Sequence, residues 1–519
     1  MNDMNVKPET IVCHEDGLTL PRLFAERMQG MLGEEFESFI DSYAKPVHPS
    51  LRANTLKVTP DEIRELAPFV GNTIPWQGNG FYYPAEGDVR PGKHPLHEAG
   101  AYYIQEASAM LPASLCPPAE GDRVLDLCAA PGGKATQLAA ALQGKGLLVA
   151  NEIHPTRAGI LSQNIERMGV RNAIVTNASP AELAVRFPGF FDKIVVDAPC
   201  SGEGMFRKEA DAVTMWSPEN VALCAARQAE ILDEAVKMLR DGGYLTYSTC
   251  TFAPAENEGA VMAFLSRHPE FEVIPSAEEA VRAACEAGLL DRGNPAWVEN
   301  SQQYPESLRE SVRHTYRVFP HHCDGEGHFA ALLRKREGGN SRLDMPAESK
   351  RKGKKSDGGK GKSAAKASIT PVAAACKLFE DFAREVLGGV PHWVQDASPC
   401  LFGDKLCLVP RALCGTGDPK DALDGLRVLR AGLCVGTVVG ADRGKGRFEP
   451  DHALALAADS SARSFPIDEA GAAAYLRGET LPADVRGWHV VTYCGLPLGW
   501  GKASDGVLKN HYPKGLRWN

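Results

Sequence analysis

Two apolar stretches of this sequence open into a cysteine. Lys193 to Lys208 reads KIVVDAPCSGEGMFRK and Tyr244 to Cys250 reads YLTYSTC, so Cys200 and Cys250 stand 50 residues apart. A cysteine on an apolar strand is most often an inert packing residue. A thiol at a strand's rim is different, because once ionised it can attack carbon and divide one difficult step into two easier ones. Two rim thiols sharing a crevice, with Asp197 three residues ahead of the first, would let one sulfur attack while the other assists departure. The residues alone do not say which does which.

For both thiols to reach one crevice, the two stretches must be neighbouring parallel strands. The surrounding sequence supplies such a sheet. RVLDL (Arg123 to Leu127), GLLVANE, AIVTN, KIVVDAP and GGYLTYSTC read as strands, while KATQLAAALQ, TRAGILSQNIERM and PENVALCAARQAEILDEAVKML read as helices between them. This alternation predicts βαβ units and a parallel sheet covered on both faces, with ligands at the carboxyl ends of the strands.

The turn after the first strand, VLDLCAAPGGKATQLAA, is the most informative local signal. A strand that passes through Gly132 and Gly133 into a helix presents free backbone N–H groups to a ligand. Neither G-x-G-x-x-G nor G-x-x-x-x-G-K-[ST] is present, which argues against a dinucleotide and a P-loop phosphate and leaves S-adenosylmethionine. Glu152 ends the second strand 20 residues beyond Gly132, where a carboxylate suits the hydroxyls of a ribose. A methyl donor beside two thiols suits one reaction well. Carbon 5 of a pyrimidine is a poor nucleophile, but a thiolate adding to C6 makes it an electron-rich enamine carbon able to accept a methyl group. The C5 proton must then leave and the sulfur be eliminated. Asp197 is placed for the base edge, the charged end of the cofactor, or both.

CAAPGGK, DAPCSGEG and YSTC, in this order and spacing, resemble the Nol, Nop and Sun family of RNA (cytosine-5) methyltransferases. LRANTLK is similar to that family's N-terminal R-x-N-T motif, and GAYYIQEASAM to the segment before the cofactor loop. WSPENVALCAARQAEILDEAVKMLRDGGYLTYSTCTFAPAENE resembles the helix, last strand and acidic turn, and RVFPHHCDGEGHFAALLRK the closing hairpin. The resemblance implies an α/β, class I S-adenosylmethionine-dependent methyltransferase fold, Rossmann-like and mainly parallel. It implies that Cys250 attacks C6 and that Cys200 helps release the methylated RNA. It assigns Cys128, Ala129, Ala130, Pro131, Gly132, Gly133 and Lys134 to the cofactor loop, Glu152 to the ribose, and Asp197 to cofactor and base. The family commonly carries an acid near the adenine at the end of the third strand. Here IVTNASPAEL has Ser179 at that point, so Asn177 or Ser179 stands in.

The resemblance also organises the chain. Residues 1–92 read as an N-terminal α+β RNA-binding unit and 93–337 as the catalytic domain. Residues 338–369 read as a disordered linker, within which Lys350 to Lys366 holds eight Lys or Arg against one acid and no large apolar residue. Residues 370–519 are similar to the C-terminal extension of bacterial ribosomal RNA methyltransferases, including a β-rich PUA-like module. There Lys502, Lys509, His511, Lys514 and Arg517 are interleaved with Trp500 and Tyr512, a mixture suited to holding RNA by phosphate contact and stacking. Small-subunit ribosomal RNA is the implied substrate, with transfer RNA and a non-catalytic ribosome assembly role as alternatives. Among enzymes, DNA cytosine methyltransferases attack through the Pro-Cys thiol, which would exchange the two cysteine roles.

The formal net charge of -9 argues against coating nucleic acid through overall charge but not against a local basic patch. No apolar run is long enough to span a membrane, and the first residues lack a signal-peptide plan, so a cytoplasmic monomer is expected. The 14 cysteines include no C-x-x-C pair, and His321, His322, Cys323 and His328 in HHCDGEGH are not assigned a metal. Arg207 and Lys208 are read either as phosphate contacts or as solvated surface.

Overall fold

The computed structural model of the chain describes residues 10–12, 19–86, 90–338, 371–439 and 446–518. The basic segment Lys350 to Lys366 lies outside them. Strands β1 (Arg123–Asp126), β2 (Leu147–Asn151), β3 (Ala173–Thr176), β4 (Phe191–Asp197) and β5 (Leu239–Thr249) form the parallel heart of a ten-stranded sheet. They pair in the order β5-β4-β1-β2-β3. Leu125, Leu148, Val149, Ile174, Val195 and Val196 are buried, so these strands appear in sequence as apolar runs rather than as alternation.

Helices α1 (Gly133–Ala141), α2 (Pro155–Arg167), α3 (Pro180–Arg186) and α4 (Pro218–Met238) make the crossovers. The start of α4 is fixed by Ser217, whose hydroxyl accepts the Asn220 N–H, and by Pro218 in its first turn. Buried Val221, Cys224, Gln228, Ile231, Leu232 and Ala235 recur at helical spacing along its inner face. After β5 come α5 (Glu258–Arg267) and four short strands, β6 (Phe271–Val273), β7 (Asp291–Arg292), β8 (Tyr316–Val318) and β9 (His328–Lys335). β9 runs antiparallel to β5, with Phe329 opposite Thr249, and so closes the sheet beside Cys250.

The ends of the chain are more deeply built in than the sequence indicates. The four-stranded N-terminal sheet takes its last strand, Tyr102–Ile104, from beyond residue 92, because Leu51 and Arg52 pair with Ile104 and Tyr103. Arg52 and Asn54 of the R-x-N-T motif are completely buried. Arg52 donates to the Gly133 carbonyl and Thr136 Oγ1 at the start of α1, and Asn54 to the carbonyls of Gly100 and Met168. At the other end, β10 (Val428–Ala431) adds to the edge of β3, and Arg430 meets Glu166 of α2 at 2.8 Å. The final five-stranded sheet shares one core with the N-terminal unit, where Leu51, Tyr102, Tyr475, Leu498 and Tyr512 pack together.

Arg317 of β8 forms a two-pronged ion pair with Glu258 at 2.6 and 2.7 Å and donates to the Phe252 carbonyl at 3.0 Å, anchoring the chain just after Cys250. Both partners are essentially inaccessible, at 1% and 0% side-chain exposure. Arg317→Leu would leave the Glu258 carboxylate buried without its partner. It is expected to destabilise the catalytic domain by about 3–5 kcal/mol, read as a lower urea midpoint of its unfolding transition.

Candidate active site

Asp197 at the end of β4 pairs in register with Ser248 of β5. Three residues past the first and two past the second, the chain delivers Cys200 and Cys250 to one point, with their sulfurs 3.3 Å apart. The Gly204 N–H donates to the Cys250 carbonyl at 2.9 Å, tying the two cysteine loops together. The Cys200 thiol is held well above its ordinary value, first by its hydrogen bond with Cys250, then by burial and by the nearby charge of Cys250 and Glu256. Cys200 therefore keeps its proton and can donate toward the Cys250 sulfur. Cys128, the third cysteine of the crevice, is pushed far up by burial and by Asp126 and stays an inert thiol.

Asp197 is the electrostatic centre of the crevice. Burial alone would raise its carboxyl, but Lys134 and His328 more than offset this and hold it well below the usual range. Lys134 Nζ lies 2.8 Å from Oδ2, and the Ser248 hydroxyl donates to Oδ1 at 2.8 Å. His328 Nε2 lies 3.6 Å from Oδ1. The imidazole is 3% exposed, and neither ring nitrogen reaches a hydrogen-bond partner among the described residues. Burial, then Lys134, lowers its pKa and keeps it neutral. In sequence His328 stands with His321 and His322 in HHCDGEGH, and only the antiparallel register of β9 against β5 brings it to the crevice.

The cofactor loop has the form expected. Gly132 caps α1 with φ at +121°, a conformation that disfavours other residues, and a Cβ there would meet Leu161 Cδ1 at 3.3 Å. Asp126, beneath the loop, is completely buried with both carboxyl oxygens unpartnered, and burial followed by Asp197 pushes its pKa up to about 8. Glu152 is also buried and accepts the His154 N–H at 2.8 Å, with Arg157 at 3.3 Å. Buried acids around a glycine loop at the sheet's carboxyl edge fit a ligand bearing both cationic groups and a ribose. Of the two residues expected near the adenine, the Ser179 hydroxyl is engaged in capping α3 with Glu182. The Asn177 amide braces the carbonyls of Glu152 and Ile153 at 2.8 Å each.

Four family models match consecutive parts of the chain. Residues 20–107 match the N-terminal domain of 16S rRNA methyltransferase RsmF, and 113–334 match 16S rRNA methyltransferase RsmB/F. Residues 381–457 match the RsmF rRNA methyltransferase first C-terminal domain, and 462–518 the Methyltransferase RsmF PUA domain. The ribosomal RNA small subunit methyltransferase F of Klebsiella pneumoniae (strain 342) is 32% identical over 97% of both chains. That of Escherichia coli O9:H4 (strain HS) is 33% identical over 93% of this chain and 92% of its own. The chain belongs to the 16S rRNA methyltransferase RsmB/F family. Among solved structures, a methyltransferase homolog protein from Pyrococcus horikoshii is 28% identical, with a TM-score of 0.50 over 60% of this chain and 94% of that one.

Within the RsmF-type PUA domain the aromatic residues named from sequence do not form a stacking surface. Trp500 and Tyr512 are 1% and 3% exposed. The Trp500 indole donates to the Asp451 carbonyl, and the Tyr512 hydroxyl to Glu98. The basic residues do share a surface with another ring. Trp488, Lys502 and Lys509 are successive register partners across three strands. Lys502 Nζ lies 5.0 Å from the centre of the Trp488 ring, and the His511 ring 4.5 Å from it.

Arg207 is not available to phosphate either. Its side chain is 10% exposed, paired with Glu326 at 2.8 Å and donating to the Ser42 carbonyl. Lys208, more open, lies 3.6 Å from the same Glu326. In the HHCDGEGH segment, His321 and His322 both face Glu35, at 3.3 and 3.4 Å, and His322 also meets Asp291 at 2.8 Å. These contacts join the N-terminal helices to the closing hairpin.

Two expectations follow. Without Lys134, burial dominates at Asp197 and its carboxyl moves up, so the ionised form is lost at a higher pH than in the native protein. Lys134→Met is expected to lower methyl transfer about 100-fold and to shift the acid limb of its pH profile upward. Gly132→Val places a branched side chain at positive φ against Leu161. It should weaken S-adenosylmethionine binding at least about 10-fold, measured calorimetrically.

Proposed function

We propose that this protein methylates carbon 5 of a cytosine in small-subunit ribosomal RNA, with Cys250 as the nucleophile and Cys200 as the thiol that assists release. The observation that carries the division of roles is the 3.3 Å sulfur pair in which Cys200 holds its proton. A thiol whose proton is held tightly is suited to donate, which leaves the attacking role to Cys250.

The target cytosine must leave its stack to enter the crevice. Cys250 adds to C6, and the electron pair of the C5–C6 double bond moves into the ring, leaving C5 nucleophilic. S-adenosylmethionine, the cofactor, supplies the methyl group that C5 receives. Cys128 to Lys134 would hold it, with Glu152 at the ribose and Asn177 near the adenine. Asp197, kept ionised by Lys134, is suited to accept hydrogen bonds from the base's amino edge. After transfer, the C5 proton passes to solvent water, the C5–H electron pair reforms the C5–C6 double bond, and sulfur leaves C6 with its electron pair. The Cys200 S–H, aimed at that sulfur, stabilises the departing thiolate.

The N-terminal unit and the C-terminal region hold the RNA in this reading. Trp488, Lys502, Lys509 and His511 form the PUA-domain contact. The protein acts in this reading as a monomer, and a ribosomal substrate is met in the cytoplasm.

Trapping on RNA containing 5-fluorocytosine, whose C5 cannot lose a proton, tests the assignment. Cys250→Ala is expected to form no covalent adduct with that RNA, while Cys200→Ala forms it and, on ordinary RNA, accumulates it. The opposite pattern would make Cys200 the nucleophile. Bisulfite sequencing of total RNA from a strain lacking the gene should show one or more 16S positions losing their mark. A loss confined to transfer RNA would refute the substrate, and no transfer from labelled cofactor to any RNA would favour an assembly factor.

A further inference from the structure

Glu256 has no part in the chemistry described above, yet the two cysteine loops converge on it. It is 0% exposed and follows Cys250 in the acidic turn. Its carboxylate accepts both the Ser201 hydroxyl and, at 3.0 Å, the Ser201 N–H, which belong to the residue next to Cys200. The Ser201 hydroxyl also lies 2.8 Å from Thr251 Oγ1, next to Cys250. Gln228, reaching in from α4, donates to Glu256 at 2.8 Å and to the Pro199 carbonyl, on the other side of Cys200, at 3.0 Å. Tyr247, on β5 three residues before Cys250, closes the set: its hydroxyl donates to the Glu256 carbonyl at 2.6 Å, with Gln228 Oε1 at 2.9 Å. Gln228 and Thr251 are also 0% exposed.

A buried network this fully bonded specifies a geometry. It ties the loops that carry both cysteines, while the sulfurs themselves meet each other. We propose that Glu256 is the positioning residue of the thiol pair, locking the 199–201 loop onto the 250–251 loop so that the two sulfurs meet at hydrogen-bond distance. The inference rests on Cys250 and Cys200 being the working pair.

Glu256 also carries a charge that can vary. Burial, with Glu203 adding to it, pushes its pKa up to about 7, although Ser201 and Gln228 pull the other way. The other titratable groups facing it are Cys200, Cys224 and Tyr247, each of which it pushes upward. When ionised, Glu256 strengthens the hold of Cys200 on its proton and so makes that sulfur the less reactive of the pair. When protonated, at lower pH, it gives up that bias. The hold on the Cys200 proton therefore tightens as pH rises through about 7.

The test uses the full-length protein with S-adenosylmethionine and RNA. Relative alkylation of Cys250 and Cys200 by iodoacetamide is followed by peptide mass spectrometry from acid to alkaline pH, and single-turnover methyl transfer is measured in parallel. In the native protein the ratio of Cys250 to Cys200 labelling should rise several-fold across neutral pH. Glu256→Gln keeps the shape and removes the charge. It should flatten that rise and slow single-turnover transfer about 10-fold, with cofactor affinity within twofold of native. Ser201→Ala, which removes one strut and leaves the carboxylate, should slow transfer while retaining the pH-dependent ratio. An unchanged pH-dependent ratio and rate in Glu256→Gln would overturn the proposal. So would a Ser201→Ala variant with native turnover, which also decides the matter if Glu256→Gln fails to fold. Failure of the underlying reading looks different, since the native adduct would then form on Cys200 whatever stands at residue 256.

Discussion

The parallel pairing of β4 with β5 is the constraint on which the crevice depends. Because Asp197 and Ser248 are register partners, the two strands end level, and short loops of similar length carry both sulfurs to the same place. A slip of one residue would turn the side chains of one strand to the opposite face and separate Asp197 from Ser248, Lys134 and His328. Apolar residues buried on both faces guard poorly against such a slip, since either face accepts them. The polar bonds at the strand ends are more discriminating. Ser248 to Asp197, Ser201 to Thr251 and Gly204 to the Cys250 carbonyl are all satisfied together only in this register.

Charge in the crevice is unevenly divided. Asp126, Glu152 and Asp197 converge on a region where Lys134 is the buried cation bonded to Asp197. The consequences are visible in the titrating groups. Asp126 is pushed toward its neutral form, Cys128 and Cys200 hold their protons, and Asp197 stays ionised because Lys134 faces it. An acid-rich pocket complements a cofactor that carries a sulfonium and an ammonium group. Positive charge brought near a thiol favours its ionised form, so occupancy and reactivity of the site act in the same direction.

Much of this was legible in the sequence, for identifiable reasons. Apolar runs separated by amphipathic helices gave the βαβ order, and the Gly-Gly turn with Glu152 gave the ligand edge, since both are encoded within a few dozen consecutive residues. His328 was not legible as a neighbour of Asp197, because 131 residues separate them and only antiparallel pairing joins them. Glu256 is in sequence one acid of an acidic turn, and α4 supplies Gln228 to it in the fold. Trp500 and Tyr512 read as surface rings because basic residues surround them. Trp500 lies on a strand whose first six residues are buried on both faces, so alternation between a wet and a dry face fails there. Arg52 and Asn54 belong in sequence to an R-x-N-T motif with no role attached and are buried braces for α1 and α2, a role set by partners more than 40 residues away.

That last relation bears on how a large RNA and a small crevice are kept in alignment. The N-terminal unit and the final sheet share a core through Tyr102, Tyr475 and Tyr512, and both are fastened to the catalytic sheet by buried polar contacts. Asn54 binds the Met168 carbonyl just after α2, and Lys57 Nζ reaches the carbonyls of Ala99 and Arg167 at 2.7 and 3.3 Å. Burial, with Arg167 adding to it, lowers the Lys57 pKa to about 7, so these carbonyls hold a group that has given up most of its hydration. β10 adds a direct strand pairing and the Arg430 to Glu166 ion pair on the same helix, α2. Helix α2 therefore receives the N-terminal unit at its end and the C-terminal region along its side, while its first residues carry Arg157 beside Glu152. The N-terminal unit and the C-terminal region are in this way linked, through one helix, to the side of the crevice that Glu152 lines.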